Sequence, residues 1–130
     1  MDQNNLQFSG HWNAPGKSVK VNLALILFVE DDQHIAFCPA LDVFGHGDSE
    51  QAAIDAFTTS LGEYLLYTTN KGTFQKDLEV HGWKVRKSLH KPMIPPEMSY
   101  LLDTNDEFSR VFNTRDFRKI NHSVNMPVYA

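Results

Sequence analysis

The residues able to do chemistry are few and scattered. The chain has six histidines and one cysteine in 130 residues. No two histidines stand three or four positions apart and no Cys-x-x-Cys pair occurs, so the ligand spacing of a zinc site is missing. Cys38 sits in an apolar run just before Pro39 and reads as a small buried apolar group. His46, between Gly45 and Gly47, has Asp48 and Ser49 beside it, the residue types of a Ser-His-Asp set. Immediate neighbours do not assemble a triad, and the nucleophile-elbow pattern is absent. His46 instead reads as a loop residue that could line a binding site at a helix start. Gly45-x-Gly47 ahead of a helix lacks both the phosphate-loop lysine and the third glycine of the dinucleotide fingerprint. Glu30, Asp31 and Asp32 are the acidic cluster. Two-metal hydrolysis needs acids set along strands around the metals, whereas these three belong to a turn, where acids are solvated. No catalytic residue, metal or cofactor is expected, and the chain reads as a binding protein rather than an enzyme.

Charge says what it could bind. The net charge of −4 is unevenly spread. Residues 1–70 carry two basic and nine acidic groups, residues 71–91 six basic and two acidic, and residues 92–130 four basic and five acidic. A uniformly basic nucleic-acid binder has a different profile. An acidic first half suits a basic partner, with long-range attraction aiding encounter, or serves solubility alone. Glu30, Asp31, Asp32, Asp42 and Asp48, with His46, are the candidate contact residues. The rival surface is the basic stretch Lys84, Arg86 and Lys87, with Arg110, Arg115, Arg118 and Lys119 as a second basic set. Phe8, Trp12, Phe44, Trp83 and Tyr129 are aromatic residues that could stack on bases, though most fit a core better.

The elements that would carry these residues follow from periodicity. Val19, Val21, Leu23, Leu25, Leu27 and Val29 alternate onto one face, while Ala24, Ile26 and Phe28 make the other face apolar too. Such a strand is central in its sheet or covered on both sides. Glu30 to Gln33 turns the chain and Ile35 to Cys38 returns as a hairpin partner. A third strand is expected over Leu41 to Phe44, then a Gly-His-Gly corner into a helix capped by Ser49 or Asp48. Ala53, Phe57, Leu61, Tyr64 and Thr68 recur at helical spacing, and Asn70-Lys71-Gly72 ends the helix. A short helix over Thr73 to His81 precedes a half-exposed strand, Trp83 to Leu89, with a basic outer face. Pro92, Pro95 and Pro96 then mark a linker. Short amphipathic pieces are expected over 97–103, 105–113 and 115–121, with an extended end from Val124 to Tyr129. The fold class is α+β, with a three-strand, helix, returning-strand sheet and the helices on one face.

The order Ile35-Ala36-Phe37, Pro39, Leu41, Gly47-Asp48-Ser49 and Ala53 resembles the signature of the HicB antitoxin family. There an aromatic-and-alanine strand meets a proline, and a glycine corner with Asp-Thr or Asp-Ser opens a long helix. The resemblance spans about residues 21–89. It departs from the family at Asp42-Val43, where a Pro-Gly turn is usual. The resemblance implies a reduced ribonuclease-H-like β-β-β-α-β core, homo-oligomers, and a partner that is a small basic HicA-type toxin, an mRNA-cleaving enzyme whose active site the antitoxin covers. Many members add a helix-turn-helix or ribbon-helix-helix that binds DNA. Residues 97–130 match neither.

On this basis residues 1–18 are an N-terminal extension, 19–91 the HicB-like domain, and 92–130 a proline-containing linker with a short helical extension. The alternative function is a stand-alone regulator that binds DNA or RNA through the basic stretch. The longest apolar run, Leu23 to Val29, is far short of a membrane span. The first residues lack a secretory pattern, and a lone cysteine fits a reducing compartment, so a cytoplasmic location is expected.

Overall fold

The computed structural model describes residues 17–85 and 93–128. Among them the chain is mixed α+β, with a four-stranded antiparallel sheet and four helices. The strands of the sheet are β1 (Lys17–Glu30), β2 (Gln33–Cys38), β3 (Val43–Gly47) and β6 (Phe117–Val128), in the order β3-β2-β1-β6. Between β3 and β6 come helices α1 (Glu50–Lys71) and α2 (Phe74–Val80), then a two-stranded ribbon of β4 (Lys84–Val85) and β5 (Met93–Ile94). Helices α3 (Met98–Thr104) and α4 (Asp106–Thr114) complete the chain before β6.

β1 and β2 form the expected hairpin, closed by Glu30 opposite Gln33. Asp31 and Asp32 both take positive φ, 53° and 64°, the backbone of a tight two-residue turn whose twist matches the strands. The second turn differs from expectation. The backbone N–H of Asp42 donates to the Cys38 carbonyl at 2.8 Å, and Asp42 has φ 59°. Leu41 and Asp42 are therefore in the turn, and β3 begins at Val43. His46 is a strand residue opposite Ile35 rather than the centre of a corner. Gly45 serves close approach: a Cβ there would overlap the backbone nitrogen of Phe57 and the carbonyl of Ala53.

Helix α1 starts where Ser49 accepts from the Ala52 N–H at 3.1 Å. It stops at Gly72, in the left-handed conformation at φ 72°, whose N–H reaches back to the Thr69 carbonyl. Ala53, Phe57, Leu61 and Leu65 are fully buried against the sheet. They cover the face that bears Leu23, Leu25, Leu27, Ala36 and Cys38, since residues opposed across the strands share a face.

The last strand corrects the expected topology. The described part of the expected strand, Trp83 to Val85, does not join the main sheet, and Arg86 to Leu89 lie outside the described residues. Only Lys84–Val85 is strand among its described residues, and it pairs with Met93–Ile94 in the separate ribbon. The place beside β1 belongs to β6, which runs antiparallel to it from Phe28 opposite Phe117 to Lys17 opposite Val128. The segment expected as a short amphipathic piece and an extended end is one twelve-residue strand.

The helices also lie on both faces, not one. Ile26, Phe28 and Phe37 are buried on the face away from α1. Phe117 shares that face, and its ring is 5.5 Å from Phe112 of α4, whose Phe108 and Val111 are buried in the same core. Double cover is what a strand apolar on both faces requires. Asn105 ties the α3–α4 corner to the β2–β3 turn: its Oδ1 accepts from the Phe108 N–H at 3.0 Å, and its Nδ2 donates to the Pro39 carbonyl at 3.4 Å. Trp83 is buried and donates its indole N–H to the Ala40 carbonyl at 2.7 Å, so it braces the same turn and is unavailable for stacking. No described helix is long and apolar enough to cross a membrane.

Candidate functional site at the hairpin end of the sheet

The two ends of the sheet divide the candidate residues. Glu30, Asp31 and Asp32 occupy the β1–β2 tip, and Asp48 lies at the same end, where it accepts from Gln33 Nε2 at 3.4 Å. Asp42 lies at the opposite end, between β2 and β3, where it accepts from Asn105 Nδ2 at 3.4 Å. His46 is exposed on β3, two residues before Asp48. Four of the five candidate acids are thus brought to one end, and Asp42 is separated from them by the length of the hairpin.

A cleft of about 560 Å³ opens at the hairpin end, lined among others by Phe28, Val29, Ile35, Glu50, Arg115 and Phe117. Val29 is 49% exposed beside it. Asp31 and Asp32 are exposed in the turn that follows this strand end but do not line the cleft, whose polar walls are Glu50, Arg115, Asp116 and Arg118.

Glu30 differs from its neighbours. Arg110 grips it with both guanidinium nitrogens, at 2.9 and 3.0 Å, and Arg115 adds a third contact at 2.7 Å. Hydrogen bonds from Arg110, then Arg115, hold its carboxyl below the usual carboxylate range. Arg110 also pairs with Glu107, and Arg118 pairs with Glu50 at the start of α1. Three of the basic residues considered for nucleic acid are therefore engaged within the molecule. Their positions in the sequence gave no signal of partners 80 and 85 residues away. Asp31 and Asp32 remain exposed at the turn. Of the basic stretch, Lys84 is exposed on β4, while Arg86 and Lys87 lie outside the described residues, as do Phe8, Trp12 and Tyr129. Phe44 is 39% exposed and stacks on Phe37 at 4.3 Å.

Cys38 is buried, and burial pushes its thiol pKa up to about 12, far from the thiolate a nucleophile needs. Among the described residues no group of three or more His, Cys, Asp and Glu side chains is arranged to hold a metal ion.

Two groups set the acid limit of the fold. His122 of β6 lies against the edge of the Phe57 ring, 6.0 Å between centroids, and its Nε2 is buried without a hydrogen-bond partner. Desolvation lowers its pKa from 6.5. The unfolded chain then takes up the proton first, so stability falls as pH drops below 6.5. Glu30, with its pKa lowered from 4.5, contributes stability above that value that is lost as pH falls through its folded pKa. The denaturant midpoint of the protein is expected to drop between pH 7.5 and 5.5, and His122→Phe should flatten that drop. Equal slopes for both proteins would contradict the assignment.

Comparison with family models, with curated proteins and with solved structures finds no match.

Proposed function

We propose that the chain is a HicB-like antitoxin, a binding protein that occludes the active site of a small basic HicA-type ribonuclease in the cytoplasm. The observation that carries this reading is the hairpin tip. Asp31 and Asp32 are exposed in a turn held by paired strands, Asp48 lies at the same end of the sheet, and Val29, two residues before the turn, is half exposed. An enzyme that cleaves RNA must gather phosphates with cationic groups. Exposed aspartates at the tip complement such a surface, and the excess negative charge of residues 1–70 acts in the same direction at longer range. The run of three antiparallel strands directly into a long helix, with a further strand in the same sheet, supports a HicB-like core.

The interface on this reading is narrower than the acids of the sequence. Glu30 is taken up by Arg110 and Arg115, and Asp42 faces the other end. Single reversals among Asp31, Asp32 and Asp48 should matter little, because exposed charge pairs are worth about 0–1 kcal/mol each. Reversing all three to lysine changes the summed field. Association with the toxin should then slow, and its salt dependence should weaken. In a growth assay with co-expressed toxin, the folded triple variant should rescue less than wild type. Unchanged rescue by the triple variant, or loss of rescue by Lys84→Glu instead, would place the contact elsewhere.

A further inference from the structure

The two longest strands are charged unlike the rest of the molecule. In a chain of net charge −4, β6 contains no aspartate or glutamate, and β1 contains none before its last residue, Glu30. Residues opposed across strands share a face, so Phe117, Lys119 and Asn121 of β6 lie with Asn22 and Lys20 of β1 on the face turned away from α1. Both lysines and both asparagines are exposed, and Phe117 is 36% exposed. Arg118, on the other face, is taken up by Glu50. Among the described residues neither Lys20 nor Lys119 forms an ion pair.

We propose that this face binds single-stranded nucleic acid, independently of the contact assigned to the hairpin tip. In order along the ribbon the face presents an aromatic ring, a cation, two carboxamides and a second cation. Lys119 stands opposite Ile26, six residues from Lys20, so the two cations are about 20 Å apart along the strands. One nucleotide does not bridge that distance, whereas a few nucleotides of extended single strand do, with a phosphate at each lysine.

Between the lysines there is a place for bases. A cavity of about 240 Å³ opens beside the ribbon, with Asn22 and Asn121 among its polar walls and Pro95, Pro96 and Met98 among its apolar ones. A carboxamide both donates and accepts, which matches the mixed edge of a base. The apolar walls suit its flat faces. Phe117 offers a ring for stacking next to Lys119, and base–aromatic stacking is tolerant of sequence. A duplex keeps its bases paired and stacked, so it does not offer them to this row. An acidic peptide would satisfy the lysines and leave the ring and the carboxamides unused.

Fluorescence anisotropy of the full chain with a labelled RNA of about eight nucleotides, a site size within the usual single-strand range, tests the proposal. The same sequence as DNA and as a duplex completes the set. Both single strands should bind and the duplex should bind at least about tenfold more weakly. Two phosphate contacts predict a slope of about −1.4 for log K against log salt. The double variant Lys20→Gln/Lys119→Gln should flatten that slope towards zero, and Phe117→Leu should weaken binding about tenfold without changing it. Lys84→Glu should leave both readouts as in wild type. The altered residues are exposed or half exposed, so unchanged thermal midpoints should show that the variants remain folded. The proposal is overturned by no binding of either single strand at about 100 µM protein, the weak end of non-specific binding. It is also overturned by a duplex bound as tightly as the single strands, by affinity and slope that neither variant changes, or by polyglutamate displacing the RNA as well as unlabelled RNA does.

Discussion

Gly45→Ala is expected to cost about 3 kcal/mol or more, the upper range for forcing an extra methyl into a packed site. The added Cβ meets the backbone nitrogen and Cα of Phe57 and the carbonyl oxygen of Ala53, none of which can rotate away. Relief requires α1 to lift from β3, and that would loosen Ala53 and Phe57 together. A loss of this size is a large share of the roughly 5–15 kcal/mol that holds a typical domain folded. Gly47→Ala is the internal control. Its Cβ would meet the Ala52 Cβ at 2.7 Å and the backbone of Ala52 and Ala53 at 3.0 and 3.2 Å, a looser fit than the 2.0 Å approach at Gly45, so it should cost stability but less. Urea unfolding should rank the two variants clearly. Equal midpoints, or a Gly45→Ala variant within about 0.5 kcal/mol of wild type, would show that helix and strand are not in the contact described.

Phe57→Ala should lower stability by about 3–5 kcal/mol, the range for deleting a fully buried phenylalanine. Its ring is completely buried and meets His122 of β6 edge-on, while its backbone makes the close approach of α1 to Gly45 on β3. The residue thus joins the first part of the chain to its last strand, and neither partner can move far enough to refill the space. Phe57→Leu keeps most of the volume and should cost less than half as much. A Phe57→Ala midpoint within error of wild type would contradict the packing of α1 on the sheet.

Local signals made part of this architecture legible in the sequence. Alternation marked β1, adjacent aspartates marked the hairpin turn, and Ser49 and Gly72 bracketed α1. The two short helices after the prolines also lie close to their expected bounds. The last strand was hidden for a physical reason. As an edge strand it is apolar only in places: Ile120, Val124 and Met126 alternate with Lys119, Asn121 and Ser123, but Arg118 and His122 interrupt the inward face. Pro127 adds a residue that reads as a strand breaker. Nothing local announces that this stretch pairs with residues about a hundred positions earlier.

The candidate site divides in the same way. The tip acids were visible because a turn concentrates them. The separation of Asp42 followed from which end of β2 each turn occupies, and the loss of Glu30 from the exposed set followed from two arginines far along the chain. The buried state of Trp83, offered as a stacking residue, depended on the Ala40 carbonyl that it meets only in the folded chain.

The most direct test of the antitoxin reading is to look for a small basic protein encoded beside this chain and to co-express the two. Expressed alone, that neighbour should cleave mRNA and arrest growth. With this chain present, growth should resume and the two should purify together as a complex that dissociates more readily at high salt. A harmless neighbour, or a toxic one that this folded chain neither binds nor neutralises, would contradict the account.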